Sequence, residues 1–111
     1  MSLRRGDLVT VAAKGPYTGK PRPALVVQAS ETLPYRDSVT ICLLTADVID
    51  ASLFRVRIEP APAYGLNQPS DVMADKILTV PRSVLSAKPF GKLSAADLAR
   101  VDAALRFWLG L

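Results

Sequence analysis

Prolines and glycines divide most of this chain into short apolar runs, and this punctuation restricts its fold more than any other feature. The 111 residues include nine prolines and six glycines, which are densest in the loop at residues 14–23. A proline ring removes a backbone donor and disfavours helical geometry in the residue before it, so this loop cannot be helical. Residues 7–13, before the loop, alternate in polarity and predict a strand. Residues 24–28, after it, are a continuous run typical of a strand buried on both faces.

Three further strands are predicted along the chain. Residues 39–45 form an apolar run rich in β-branched side chains. Residues 53–59 alternate apolar and charged side chains, which predicts a half-exposed strand that ends before Pro60. Residues 71–80 form the fifth strand, which Pro81 ends.

The last part of the chain has a different period. Ser94, with Asp97 three residues later, resembles the capping box that starts many helices, although Asp replaces the usual Glu or Gln. Apolar residues then recur at helical spacing, namely Leu98, Val101, Leu105, Trp108 and Leu109. The sequence therefore predicts a mainly β fold, in which one amphipathic helix of about four turns packs on a small, strongly bent antiparallel sheet.

Length and composition limit the chemistry of the chain. With 111 residues there is room for one core, so a single domain spanning residues 1–111 is expected. The absence of histidine excludes Ser-His-Asp and Cys-His nucleophile systems and His-ligated metal sites. Cys42 is the single cysteine, and its apolar neighbours indicate a buried side chain rather than a reactive thiol. No run approaches the ~20 apolar residues of a membrane span, and residues 1–7 are unlike a signal peptide, so a cytoplasmic location is expected.

Charge is distributed in blocks along the chain. Residues 1–22 and residues 76–92 each carry a net charge of +4, whereas residues 23–75 carry −4. Two basic blocks that converge on one face would attract a polyanion such as nucleic acid. The alternative is that both blocks are solvated loops that confer solubility.

Arg22 stands out within the first basic block. It lies between Pro21 and Pro23, which stiffen the backbone, in a loop that also holds Lys14 and Lys20 and no acidic residue. A guanidinium offers two parallel donors that match the oxygens of a phosphate. The alternative is an ion pair between Arg22 and a carboxylate on a neighbouring strand.

Five features, in the order in which they occur, resemble the MazF/PemK family of toxins. They are residues 5–7 (Arg-Gly-Asp), residues 22–28, a third strand that ends in Thr45, residues 70–80, and the C-terminal helix. The resemblance covers essentially the whole chain. It implies a small SH3-like barrel of about five antiparallel strands with a C-terminal helix. It also implies a homodimer, a cognate antitoxin as partner, and a growth-inhibiting endoribonuclease that cuts single-stranded mRNA at specific sequences without a metal ion or other cofactor.

The resemblance also assigns roles to particular residues. It places catalysis on Arg22, which would hold the phosphate, and on Thr45, which would donate a hydrogen bond to a phosphate oxygen. The alternative for Thr45 is a strand-end hydroxyl that caps its own backbone. Asp75 is a candidate for supporting catalysis as a partner of Arg22, and otherwise is a solvated carboxylate on a strand. RNA cleavage suits a chain without histidine because the nucleophile, the 2′-hydroxyl, belongs to the substrate.

Five residues are predicted to bind RNA around this pair, and Tyr17 among them is suited to stacking on a base. They are Lys14, Tyr17, Lys20, Gln28 and Lys76. Lys76 stands where the family usually has Gln, and Met73 where some relatives have Arg, so the RNA sequence that is cut stays open.

Two other functions compete with RNA cleavage. The CcdB branch of the same fold poisons DNA gyrase through an aromatic, glycine and aliphatic tail, and residues 107–111 (Phe-Trp-Leu-Gly-Leu) resemble it. Trp108, however, lies on the apolar stripe of the predicted helix, which favours a role in core or dimer packing. A non-catalytic SH3-like binding module is the third possibility.

Overall fold

The structure is a computed structural model that describes residues 2–12 and 21–111. Its strands are β1 (Asp7–Val11), β2 (Arg22–Val26), β3 (Ser38–Thr45), β4 (Arg55–Ile58), β5 (Ser70–Pro81) and β6 (Gly91–Lys92). Helix α1 spans Ala95–Leu109, and short 3-10 turns occur at Ser30–Tyr35, Pro62–Tyr64 and Arg82–Val84. None of the helices in this part of the chain has the length and apolarity needed to cross a membrane.

Within the described ranges the six strands form one antiparallel sheet in the order β4-β5-β3-β2-β1-β6. Strand β5 pairs with both β4 and β3, and its register against β3 shifts in the middle. Leu44 pairs with Val72, whereas Cys42 pairs with Ile77, so residues 73–76 form a bulge. A bulge bends its strand and increases the local twist. The sheet therefore curls into a half-barrel, which agrees with the predicted bent antiparallel sheet.

Neighbouring residues of each strand point to opposite faces of the sheet, and an apolar cluster covers each face. On one face, residues such as Leu8, Leu25 and Cys42 pack with Val101 and Ala104 of α1. On the other face a second cluster contains Val9, Ala24, Val26, Leu33 and Ile41. The predicted burial of residues 24–28 on both faces is confirmed for Ala24, Leu25 and Val26, which are fully buried, whereas Val27 and Gln28 lie beyond the end of β2 and are half-buried.

Helix α1 begins where the capping pattern predicted. The Ser94 hydroxyl accepts a hydrogen bond from the backbone N–H of Asp97 at 3.1 Å, and the hydroxyl of the buried Tyr64 donates to the Asp97 carboxylate and lies 2.9 Å from the Ser94 hydroxyl. The helix ends at Gly110, whose φ of 72° is in the left-handed region that favours glycine. Trp108, for which core or dimer packing was predicted, is not fully in the core: its ring lies tilted against Phe54 with ring centroids 5.3 Å apart, and 47% of its surface stays exposed.

The sequence pattern missed the short strand β6. Two residues are too few to show a period of alternation, so the expected five strands become six. The backbone approaches closely here, because a Cβ on Gly91 would lie 2.5 Å from the carbonyl oxygen of Tyr64. A glycine is therefore required at this position.

Candidate active site

The sheet opens into a fork at one end. The β1–β2 ladder extends to Arg22 and the β3–β5 ladder extends to Thr45, but the ladder between β2 and β3 stops at the pair Ala24 and Leu43. Pro23 has no N–H to donate, so it cannot contribute a donor that would extend that ladder. Continuing the register by two residues places Arg22 opposite Thr45. The structure thus brings together the two residues that the sequence singled out for catalysis.

The fork is one side of an open cleft with a volume of about 670 Å³. Both Arg22 and Thr45 line it. The lining also includes the chain neighbours of these two residues, Thr10 on β1, the loop at residues 65–68, Ser70 and Phe90. A cleft of this size falls in the range of roughly 300–1,000 Å³ that is usual for ligand sites.

The Arg22 side chain is exposed at the rim of the cleft. Its guanidinium forms no ion pair with residues 2–12 or 21–111. Residues 13–20 contain no Asp or Glu. The alternative in which Arg22 pairs with a carboxylate of a neighbouring strand is therefore not observed in the described part of the chain. An exposed guanidinium of this kind is available to bind a phosphate through two parallel N–H donors.

The Thr45 hydroxyl has a contact within its own turn. Its oxygen accepts a hydrogen bond from the backbone N–H of Asp47, with a nitrogen-to-oxygen distance of 3.1 Å. This is the strand-end contact that the alternative interpretation expected. A hydroxyl also carries one O–H donor, which this bond does not use. The contact thus leaves Thr45 able to donate to an oxygen in the cleft.

The loop at residues 65–68 forms the opposite rim. Gly65 has a φ of 64°, and a Cβ there would lie 2.8 Å from the carbonyl oxygen of Phe90, so only glycine fits. This close approach brings the exposed amides of Asn67 and Gln68 to the cleft. Each amide offers a donor and an acceptor. No motif marks them in the sequence, where the only signal is a short polar stretch between Gly65 and Pro69.

Asp75 does not lie beside Arg22, as the sequence suggested, but forms an ion pair elsewhere on the sheet. Arg55 of β4 donates to both of its carboxylate oxygens, at 2.7 and 3.0 Å. These hydrogen bonds lower the pKa of Asp75 and raise that of Arg55. Arg55 pairs with Met73, so Asp75 is its diagonal neighbour on the same face. Asp75 is thus neither a partner of Arg22 nor a solvated carboxylate, and it does not line the cleft.

Gln28 and Lys76, the two predicted RNA-binding residues that the structure describes, do not line the cleft either. The Gln28 side chain accepts from the backbone N–H of Thr40 and donates to the Thr32 hydroxyl, both at 2.9 Å, and so closes the connection from β2 to β3. Lys76 is exposed on the bulge of β5. The other three predicted residues lie outside the described residues: Lys14, Tyr17 and Lys20.

The second basic block is spread over the molecule. Arg82 donates to the backbone carbonyls of Leu33 and Arg36 and thereby fixes the 3-10 turn before β3. Lys92 lies on β6, two residues from Phe90 of the cleft. The two blocks therefore do not converge as whole units. In the portion of the chain that the structure describes, no three Asp, Glu or Cys side chains are grouped as metal ligands.

The fold is a curled antiparallel half-barrel with a C-terminal helix, and it opens at one end between an arginine and a threonine. This combination fits the class of small toxin that the sequence resembles. A family model described as "PemK-like, MazF-like toxin of type II toxin-antitoxin system" matches residues 4–109. The chain belongs to this family.

Particular relatives are similar over nearly the whole length. The chain is 48% identical to the probable endoribonuclease MazF of Mycolicibacterium smegmatis, covering 98% of each sequence. It is 31% identical to endoribonuclease MazF9 of Mycobacterium tuberculosis, again covering 98% of both. Among solved structures, a MazE-MazF crystal structure from Deinococcus radiodurans superposes with a TM-score of 0.79 at 25% identity and covers 100% of this chain and 99% of that one. These relatives are MazF proteins, so the gyrase alternative is not favoured.

Proposed function

We propose that this toxin is a sequence-specific endoribonuclease that cuts single-stranded RNA without a metal ion. The observation that carries the proposal is the fork, in which Arg22 and Thr45 lie on neighbouring strands and line the same open cleft. The endoribonuclease names of the two curated relatives support it. In this proposal Arg22 and Thr45 are the catalytic residues.

The chemistry requires one bond to form and one to break. The 2′-oxygen of the substrate attacks the adjacent phosphorus, the bond from phosphorus to the 5′-oxygen breaks, and the products are a 2′,3′-cyclic phosphate and a 5′-hydroxyl. The 2′-hydroxyl loses a proton and the 5′-oxygen gains one, and water in the open cleft carries both. No enzyme nucleophile takes part, and the balance requires no metal ion.

Arg22 and Thr45 stabilise the charge that this reaction develops. Arg22 donates two parallel N–H groups to the phosphate oxygens. The free O–H of Thr45 donates to the same phosphate from the other arm of the fork. Asp75 is left out of this mechanism because Arg55 binds both of its oxygens.

Selection of the RNA sequence is assigned to the rim of the cleft. The amides of Asn67 and Gln68 are placed to bind the edges of unpaired bases, which are the usual target of sequence-specific RNA recognition. Lys14, Tyr17 and Lys20 precede Arg22 closely in the sequence and are proposed to contact the RNA before the cut. Gln28 and Lys76, outside the cleft, are left out of this contact set.

The proposal includes two protein partners. One is a cognate antitoxin, since the family is defined as one half of a toxin-antitoxin system and MazF crystallises with MazE in the Deinococcus radiodurans complex. The other is a second copy of this chain in a homodimer. The mRNA substrate places the activity in the cytoplasm.

Cleavage of a single-stranded RNA in the presence of EDTA tests the proposal. Arg22→Ala is expected to lower kcat/KM at least about 10²- to 10³-fold, the effect of removing a donor to developing negative charge. Arg36→Ala is the matched control, because Arg36 is also exposed but lies before the opposite end of β3. The product ends are read by phosphatase and kinase treatment. Unchanged cleavage by Arg22→Ala, or cleavage that needs Mg²⁺, would refute the mechanism.

A further inference from the structure

A closed group of hydrogen bonds lies behind Thr45, and we call it the Ile49 clamp. Its members are Arg57 on β4, Asp71 on β5 and the backbone of Ile49. Arg57 Nε donates to Asp71 Oδ1 at 2.6 Å, and Arg57 Nη2 donates to the carbonyl oxygen of Ile49 at 3.0 Å. Asp71 Oδ2 accepts from the N–H of Ile49, also at 3.0 Å. Both backbone groups of one loop residue are thus bound by one ion pair.

The clamp adjoins the candidate active site through its buried carboxylate. Asp71 is only 1% exposed. In the sheet it pairs with Thr45 on one side and with Arg57 on the other, and it follows Ser70, which lines the cleft. A buried carboxylate is costly unless its oxygens are bound, so the two bonds to Arg57 and Ile49 are needed to keep Asp71 in this place.

The segment from Thr45 to Ile49 is therefore held at both ends. At its start, Thr45 is fixed by the ladder to Asp71. At its end, Ile49 is fixed by the clamp. Between them the N–H of Asp47 donates to the Thr45 hydroxyl. If the clamp is released, we expect Asp47 to move away, and the Thr45 hydroxyl then loses its only hydrogen bond within the described part of the chain.

We propose that Arg57 and Asp71 are positioning residues, which hold the Thr45 hydroxyl in its cleavage-competent orientation by clamping the following loop at Ile49. This inference rests on the proposed function. The role assigned to the pair of Arg57 and Asp71 goes beyond general stabilisation of β4. A second ion pair joins the same two strands but makes no hydrogen bond to the loop at Ile49. Arg55 and Asp75 meet at a similar distance of 2.7 Å but bind no backbone group of the loop.

Two variants of Arg57 separate geometry from charge. Arg57→Gln removes the ion pair. Arg57→Lys keeps the charge but not the two donors that point in different directions, and it is the milder variant should the first fold poorly. Arg55→Gln is the matched control, since it breaks an ion pair between the same strands. The folded state of each variant is checked by its amide NMR spectrum.

The first measurement is amide hydrogen exchange, which does not depend on RNA cleavage. In Arg57→Gln the amides of Asp47 and Ile49 are expected to exchange at least about tenfold faster, whereas in Arg55→Gln they keep the wild-type rate. Exchange of Leu25, in the centre of β2, stays unchanged in both variants. Wild-type exchange at Asp47 and Ile49 in Arg57→Gln would overturn the proposal, even if the protein proved not to be a ribonuclease.

The second measurement is a double-mutant cycle in the cleavage assay. Arg57→Gln is expected to lower kcat by about 10- to 100-fold with KM changed less than about twofold, because a displacement of 1 Å costs that much in rate. In a Thr45→Ala background the same substitution is expected to have no further effect. An equal loss in both backgrounds would show that Arg57 acts independently of Thr45 and would overturn the proposal. Absence of cleavage by the wild type would instead refute the proposed function. The hydrogen-exchange data would still show whether the clamp holds the segment from Thr45 to Ile49.

Discussion

Two side chains at the end of the sheet carry the proposed activity, and the sequence pointed to them in different ways. Arg22 stands between two prolines in a loop without acidic residues, which made it a candidate for binding a phosphate, whereas Thr45 was assigned only by the resemblance to the toxin family. The structure adds their relation, since the register of β2 and β3 places them opposite each other. Such a relation depends on strand pairing, which no local motif specifies.

At the same scale, Cys42 shows the effect of burial on reactivity. Desolvation raises the pKa of its thiol to about 12, so roughly one thiol in 10⁴ is ionised at pH 8. We expect a thiol-specific reagent to label the native protein very slowly and the urea-unfolded protein within seconds to minutes. Because Cys42 is the single cysteine, the count of labelled sites is unambiguous. Rapid, complete labelling under native conditions would contradict the buried position.

Other residues escaped the sequence pattern because their partners are set by the fold. Asp71 and Asp75 lie on β5, and Arg55 and Arg57 lie on β4. From the sequence, either aspartate can face either arginine, and Asp75 was predicted to support catalysis. The register of β4 against β5, together with the bulge at residues 73–76, determines which aspartate meets which arginine. In the structure Asp75 pairs with Arg55.

At the scale of elements, these ion pairs connect strands β4 and β5. Arg100 of α1 adds a hydrogen bond to the carbonyl oxygen of Arg57 at 2.9 Å, which ties the helix to β4. Polar contacts thus connect β4 to its neighbours at the edge of the half-barrel. The alternation of residues 53–59 predicted a half-exposed strand, and β4 is such a strand. It is shorter than predicted, spanning Arg55–Ile58.

The pH dependence of stability tests the bond between Arg55 and Asp75. The folded state lowers the pKa of Asp75 from its usual value of 3.8. Its contribution is therefore complete above that value and is lost as the pH falls below it. We expect Asp75→Asn to lower the free energy of unfolding by about 2 kcal/mol at pH 7, as for a hydrogen bond between charged groups. The difference from wild type should shrink towards zero as the pH falls well below 4.

Urea unfolding at a series of pH values measures this difference. Glu31→Gln serves as the control, because Glu31 is an exposed carboxylate on a different part of the surface. A wild-type advantage over Asp75→Asn that stayed constant down to pH 2 would contradict the assignment of the depressed pKa to Asp75.

At the scale of the whole molecule, the fold class was predictable from the sequence, whereas the order of the strands and the presence of β6 were not. Short runs bounded by prolines and glycines, with one helical period at the end, allow few arrangements other than a small sheet covered by a helix. The strand order and the added strand β6 depend on contacts between distant segments. The approach of Gly91 to Tyr64 is one such contact, and nothing local signals it.

The charge distribution of the whole molecule predicts how RNA cleavage responds to salt. The net charge of +4 is modest, and the second basic block is spread out, so few phosphates are expected to be contacted. For two phosphate contacts on a single strand, KM is expected to rise roughly five- to tenfold between 50 and 200 mM salt, with kcat nearly constant. Steady-state kinetics at several salt concentrations check this, with Arg22→Lys as a variant that keeps the charge. A KM independent of salt would contradict electrostatic binding of the backbone.

The fork has a consequence for the cohesion of the sheet. Strand β2 is held from outside by β1, and strand β3 is held from outside by β5, while their own ladder ends early. In the proposed function, a phosphate bound by Arg22 of β2 and Thr45 of β3 would connect the two strands beyond the end of their own ladder. Because this connection forms only in the folded state, substrate binding is expected to add to the stability of that state. A bound RNA would thus extend the contact between two strands that the protein alone leaves apart, and this added stability would be lost when the products dissociate.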